Sequence, residues 1–208
     1  MGKVTALTCQ KRNRDRVSVD LDGRFAFGLP AIVAASLKPG QILSDEEFEA
    51  LRERGTVEEA YNSALNYLSY RPRSRAEVVT HLRRQGVPEN RIESAAERLE
   101  RAGLLGDEAF ARYWVENRER FRPRGQAALR YELRCKGVSD DVINQALASF
   151  DSSESAYQAA SRKAQQLSHL DRLVFTRKLV EYLGRRGFEY EVAKEAAERH
   201  WAEFTGGE

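Results

Sequence analysis

The chain has 208 residues, 32% charged and 9% aromatic, with 34 basic and 32 acidic side chains giving a net charge of +2. That length allows one domain, or a small domain followed by an array; the charge content suits helices with solvated faces better than a thick β-sandwich, and a nearly balanced total does not by itself imply a nucleic-acid partner. Cys9 and Cys135 lack neighbours at metal-ligand spacing and read as reduced thiols, no apolar run reaches the roughly 20 residues of a membrane span, and with no signal-peptide run the composition predicts a soluble cytoplasmic protein.

Residues 4 to 27 have strand grammar. Val4, Ala6 and Thr8 alternate in part with polar neighbours, and Val17, Val19 and Leu21 share one face. Asp22-Gly23 then predicts a two-residue hairpin turn, because a primed turn needs positive φ at both central positions. Arg24 to Phe27 forms the returning strand. A lone hairpin is marginal in water, so the Val4 strand is expected to complete a three-stranded unit. The basic link Lys11-Arg12-Asn13-Arg14-Asp15-Arg16 has two readings, a solvated loop tip or a phosphate contact. Pro30 to Leu37 predicts a short helix and Lys38-Pro39-Gly40 a turn. Ser44 and Glu47 form a capping box, which opens a helix expected to end near Gly55. Thr56 to Glu59 repeats the capping pattern and opens the next helix.

From there the chain repeats itself. YLSYRPRSRAEVVTHLRRQG (Tyr67 to Gly86) returns as FRPRGQAALRYELRCKG (Phe121 to Gly137) and more loosely as RLVFTRKLVEYLGRRG (Arg172 to Gly187). The period is about 50 residues. Before each glycine, apolar residues sit eight positions back (Val78, Leu129, Leu179) and four back (Leu82, Leu133, Leu183). A third follows it (Val87, Val138, Phe188). Pro72 ends the first helix of the first repeat near Tyr70. Ser74 and Glu77 form a capping box for the second, Gly86 provides a left-handed stop, and Pro88 opens the third. In the second repeat Asp107 is the expected N-cap, Pro123 and Gly125 break the chain between helices, and Ser139 caps the last helix. Asp151 to Ser155 reads as a polar hinge. The third repeat lacks the Arg-Pro-Arg turn, and Thr205 to Glu208 reads as a frayed tail.

The predicted fold is therefore mainly α: tandem three-helix repeats forming an elongated curved array, preceded by a small module containing a β-hairpin. The predicted parts are the module at 1–55 and repeats at 56–105, 106–151 and 152–208.

The residues carry no sign of catalysis. His81, His169 and His200 are scattered, so no metal set is expected. No glycine-rich phosphate loop and no local nucleophile motif is present. The reading is of a protein that is not an enzyme and carries no cofactor. The basic turns are more informative. Arg71, Arg73 and Arg75 flank the first turn, with Arg83 and Arg84 on the next helix. Arg118, Arg120, Arg122 and Arg124 flank the second turn, followed by Arg130, Arg134 and Lys136. These occupy equivalent places in two repeats. Arg forks bind phosphate oxygens bidentately, and Tyr67, Tyr70 and Phe121 lie where they either stack on bases of a single strand or belong to the core.

YLSYRPRSRAEV in the first repeat, GLLGDEAFARYWVENR with LRYELRCKGVSDDVI in the second, and RVSVDLDGRFAFGLP with LKPGQILSDEEFEAL in the module resemble the RecX regulatory proteins over nearly the whole chain. One departure is Gly106, where members often carry a second acidic residue beside Asp107. The resemblance implies a modulator, mainly negative, of the RecA recombinase, acting in recombination, DNA repair and the SOS response. It implies a monomer that lies in the groove of the RecA–single-stranded DNA filament, spans more than one protomer, and impairs ATP hydrolysis, strand exchange and coprotease activity. The competing reading is a stand-alone helical-repeat protein that grips single- or double-stranded DNA and acts by competition for it.

Overall fold

The computed structural model of the protein describes residues 1–11 and 13–205. The chain divides into two compact units. One comprises Met1–Arg73 and Val78–Leu105, the other Ser74–Glu77 and the residues from Gly106 onward.

In the first unit, β1 (Gly2–Gln10), β2 (Asn13–Leu21), β3 (Arg24–Pro30) and β4 (Ile42–Leu43) form an antiparallel sheet in the order β3-β2-β1-β4. The hairpin turns at Asp22 (φ 50°) and Gly23 (φ 79°), as the Asp-Gly pair predicts. Two expectations need correcting. A fourth strand is present, because the turn after α1 (Ala31–Ala34) returns Ile42 and Leu43 to pair with Lys3 and Gly2. The basic link is also shorter than six residues. β1 and β2 keep pairing out to Gln10 and Asn13, which places Arg14, Asp15 and Arg16 in a strand, with Arg16 ion-paired to Glu59. Arg12 lies outside the described residues. Val4, Val17 and Val19 turn inward against Leu29, Val33, Leu37, Leu43 and Leu51.

The helix beginning at Ser44 does not stop at Gly55. α2 runs unbroken over Asp45–Ser69, opened by the full Ser44–Glu47 capping box. Thr56 caps nothing; its hydroxyl donates back to the Arg52 and Glu53 carbonyls. Gly55 is there for proximity rather than for a turn. A Cβ at this position would stand 2.5 Å from Leu29 Cδ2, and that close approach of α2 to β3 is kept at the cost of about 1 kcal/mol for a mid-helix glycine. The first half of α2 thus packs on the sheet, and its second half supplies Ala60 and Ala64 to the next core.

That core is completed by α3 (Arg75–Arg84) and α4 (Glu89–Arg101), through Val78, Leu82, Ile92, Ala95, Ala96 and Leu99. In the second unit α5 (Asp107–Phe121), α6 (Gln126–Cys135) and α7 (Asp140–Leu147) enclose Phe110, Val115, Leu129, Leu133, Ile143 and Leu147. α8 (Ser152–Leu167), α9 (Arg172–Gly184) and α10 (Tyr190–Thr205) enclose Ala160, Phe175, Leu179, Leu183 and Ala197. The periodic residues four and eight positions before the glycines are all 0% exposed. Gly86, Gly137 and Gly187 each stop a helix at positive φ (78°, 76° and 85°). In each case the glycine N–H and the next N–H close the same pair of hydrogen bonds back onto the last turn.

The remaining differences are local. Asp151 and Ser152 form a helix start rather than a hinge, since the Asp151 carboxylate accepts from Glu154 N and caps α8. Ser139 sits at the N-cap of α7 but makes no side-chain capping bond. Thr205 is the last helical residue of α10, and the rest of the expected tail, 206–208, lies outside the described residues.

Candidate nucleic-acid interface

The first basic turn follows α2 in the first unit. Tyr67, near the end of that helix, has its ring stacked on His81 (centroids 4.0 Å apart, planes 3° apart), and the Arg73 guanidinium lies 4.0 Å from the same ring centroid. Tyr67 therefore spends its ring on internal contacts. Tyr70, one turn on, is 84% exposed and keeps a free ring face. Partial burial, with Arg73 and Arg84 nearby, holds the His81 pKa below the usual histidine value. Arg71 Nη1 donates to the Pro72 carbonyl (2.8 Å). Arg83 forks onto Glu89 at 3.2 and 2.6 Å, whereas Arg84 is exposed and makes no ion pair among the described residues.

In the second unit a half-buried knot forms around Trp114. The indole Nε1 and Arg118 Nε both donate to Glu132 Oε2 (2.8 and 2.7 Å), and the Arg118 guanidinium lies 4.5 Å from the indole centroid. Lys136 Nζ binds Glu77 Oε1 at 2.8 Å and also approaches the indole. Arg134 pairs with Asp140 (2.7 Å), and Arg130 donates to Asn144. Arg75 offers its backbone N–H to Asp107 Oδ1 (2.9 Å). Asp107 is thus not the N-cap of α5; Gly106 holds that place without a side-chain bond. The carboxylate of Asp107 instead accepts from the Arg75 N–H at the start of α3, and its burial there raises its pKa despite that bond.

What remains is the second turn itself. Arg120, Arg122 and Arg124 make no ion pair among the described residues. Phe121 between them is 65% exposed, and Arg120 lies 5.2 Å from its ring centroid. The turn is held from behind: Gly125 N donates to the Arg186 carbonyl (3.0 Å), and Arg186 Nη1 reaches the Pro123 carbonyl (3.4 Å). Fixed backbone, exposed aromatic and unpaired guanidinium groups suit a phosphate chain with stacked bases.

The structure therefore sorts the predicted cations. Arg73, Arg83, Arg118, Arg130, Arg134 and Lys136 have internal partners, and Arg71 and Arg75 are partnered as well. Arg84, Arg120 and Arg122 face solvent and Arg124 is half covered, and none of the four has an ion pair among the described residues. Sequence reasoning missed Glu132 and Arg186, which hold the frame, and saw Glu77 only as a capping residue, not as the partner of Lys136. For Arg186 a signal was present: like Lys136, it immediately precedes a stop glycine.

A β-sheet module feeding a long helix into tandem three-helix repeats, with basic turns at equivalent places in the first two, defines a helical-repeat protein. Family models agree part by part. The RecX N-terminal domain matches residues 2–44, and the first, second and third RecX three-helix domains match residues 60–99, 107–147 and 151–197. The chain belongs to the RecX family of regulatory proteins. It is 32% identical to the regulatory protein RecX of Bacillus subtilis over 202 residues, covering 94% of this chain and 76% of the relative. It is 28% identical to that of Clostridium perfringens over 206 residues, covering 96% of each. A crystal structure of a regulatory protein RecX superposes with a TM-score of 0.76 at 25% identity, over 95% of this chain and 100% of the other. RecX from Lactobacillus salivarius gives 0.63 at 26% identity over 70% of this chain and 96% of the other.

Proposed function

We propose that this RecX-family regulator is a modulator, mainly negative, of the RecA recombinase. It binds the groove of the RecA–single-stranded DNA filament and impairs ATP hydrolysis, strand exchange and coprotease activity. Family membership supports the class of target. The observation that carries a DNA-containing target is the second basic turn, where Arg120, Arg122 and Arg124 stand without ion pairs among the described residues around an exposed Phe121. Because the backbone of the turn is already pinned, only side-chain freedom is lost when these guanidinium groups meet phosphate. Arg84 and Tyr70 add a second contact of the same type, and linked weak contacts along a filament raise avidity.

The test is DNA-dependent ATP hydrolysis by preformed cognate RecA filaments, with the protein titrated in at ratios too low to cover the DNA. A fall in rate in that range is expected. Inhibition only at DNA saturation would mean competition for the strand, and the filament reading would be withdrawn.

A further inference from the structure

The two covered stop glycines are closed in the same way. At Gly137, the first turn of α3 packs against the stop: Ser74 Oγ donates to the Lys136 carbonyl (2.6 Å), and a Cβ on Gly137 would stand 2.5 Å from Ala76 Cβ. At Gly187, the first turn of α6 does the same: Gly125 N donates to the Arg186 carbonyl (3.0 Å), and a Cβ on Gly187 would stand 2.5 Å from Ala128 Cβ. In both, the carbonyl before the glycine accepts from a small residue at a helix start. An alanine two or three residues further on sits against the glycine.

Gly86 is built like these two, and nothing among the described residues covers it. It has the same left-handed φ, yet a Cβ there would meet nothing within 4 Å. The Gln85 carbonyl, equivalent to those of Lys136 and Arg186, accepts no hydrogen bond among the described residues. Val138 and Phe188 are each 5% exposed, whereas Val87 is only partly buried. Beside the turn runs a groove of about 300 Å³, walled by Thr56 and Ala60 of α2 and by Val87, Pro88 and Arg91.

We infer that the Gly86 turn is a docking site for the first turn of a helix on the partner protein. That turn presents Ser or Gly at the helix start and Ala two or three residues later. The inference rests on the RecA-filament reading for the partner's identity; its chemistry comes from the two junctions. A second copy of this chain does not supply such a turn from its own third repeat. At the spacing from Gly187 that Ala76 and Ala128 have from their own stops, it carries Arg177 and Lys178, both exposed. Neither side chain fits a contact that excludes even a methyl group.

The experiment measures binding of the full chain to cognate RecA–single-stranded DNA filaments by fluorescence anisotropy. Gly86→Asn keeps a residue that tolerates left-handed φ and fills the vacancy. Thr56→Trp blocks the groove from the opposite wall. Both are expected to weaken filament binding about tenfold or more, with helicity and affinity for naked DNA unchanged. Hydrogen exchange at residues 85–91 is expected to slow when the filament binds. If the unaltered protein binds filaments no better than naked DNA, the regulator reading falls. If it binds them and both variants bind equally well without protection of 85–91, the docking site is refuted. Self-association of the unaltered chain that Gly86→Asn abolishes would overturn the inference in favour of a second copy. Should one variant lose its helicity, the other and the exchange pattern decide.

Discussion

Replacing Gly137 by Ala tests the packing of α3 against the Gly137 stop. Two costs combine. The position has φ 76°, and an L-residue in left-handed geometry costs about 1–2 kcal/mol. The new methyl would also stand 2.5 Å from Ala76 Cβ. An alanine Cβ cannot swing aside, so the backbone of α3 or α6 must move, at the usual overpacking cost of about 1–3 kcal/mol. Gly86→Ala is the control, because it has the same positive φ and open space around it. The strain and the unfolded-state entropy change then largely cancel in the comparison. Urea unfolding followed by far-UV circular dichroism should show Gly137→Ala less stable than Gly86→Ala by about 1–3 kcal/mol. The Trp114 fluorescence transition should move with it, since Trp114 lies in the knot beside this junction. Equal destabilisation by the two substitutions would show that Ala76 does not press on Gly137, and the account of how the repeats close would fail.

Three further outcomes are expected. The double substitution Arg122→Ala and Arg124→Ala should weaken binding to DNA or filaments with helicity retained, and should lower the salt dependence by about one charge for each phosphate that is no longer neutralised; unchanged binding would remove the turn from the interface. Glu132→Gln should cost about 1–3 kcal/mol, because it strips charge from the partly buried acceptor shared by Trp114 and Arg118. Asp140→Asn should cost less than that, because its pair with Arg134 is exposed; chemical denaturation of both ranks them. His81 has a lowered pKa, so below about pH 6.5 the unfolded chain binds more protons there than the folded one. Its contribution is complete above that pH and is lost as pH falls towards the folded pKa. His81→Gln should therefore flatten the decline in stability on acidification, and a parallel decline in both proteins would refute the assignment.

How far the residues speak for themselves differs from element to element. Positions four and eight before each glycine proved buried because helix periodicity and left-handed stops are local properties, written in consecutive residues. The Asp22-Gly23 turn and the capping boxes at Ser44 and Ser74 are legible for the same reason. Gly55 reads as a stop when it is a point of contact, because Leu29, the residue that requires it, comes from β3. Asp107 reads as a cap for its own helix and serves α3 instead. The basic turns are visible as charge, but charge does not reveal its partners. Glu132, Glu77 and Asp140, remote in sequence or on another helix, decide that Arg118, Lys136 and Arg134 are paired within the fold.

By itself, then, the sequence determined the mainly α architecture, the three-helix repeat, its apolar faces and its stops, all set by spacing along the chain. Only the tertiary structure decided which arginines keep a free charge, why Gly137 and Gly187 admit no side chain, that Gly55 lies against Leu29, and that Gly86, alike in sequence, stands open among the described residues. Each of those depends on which distant side chain or backbone comes within a few ångströms, and no local pattern encodes that distance.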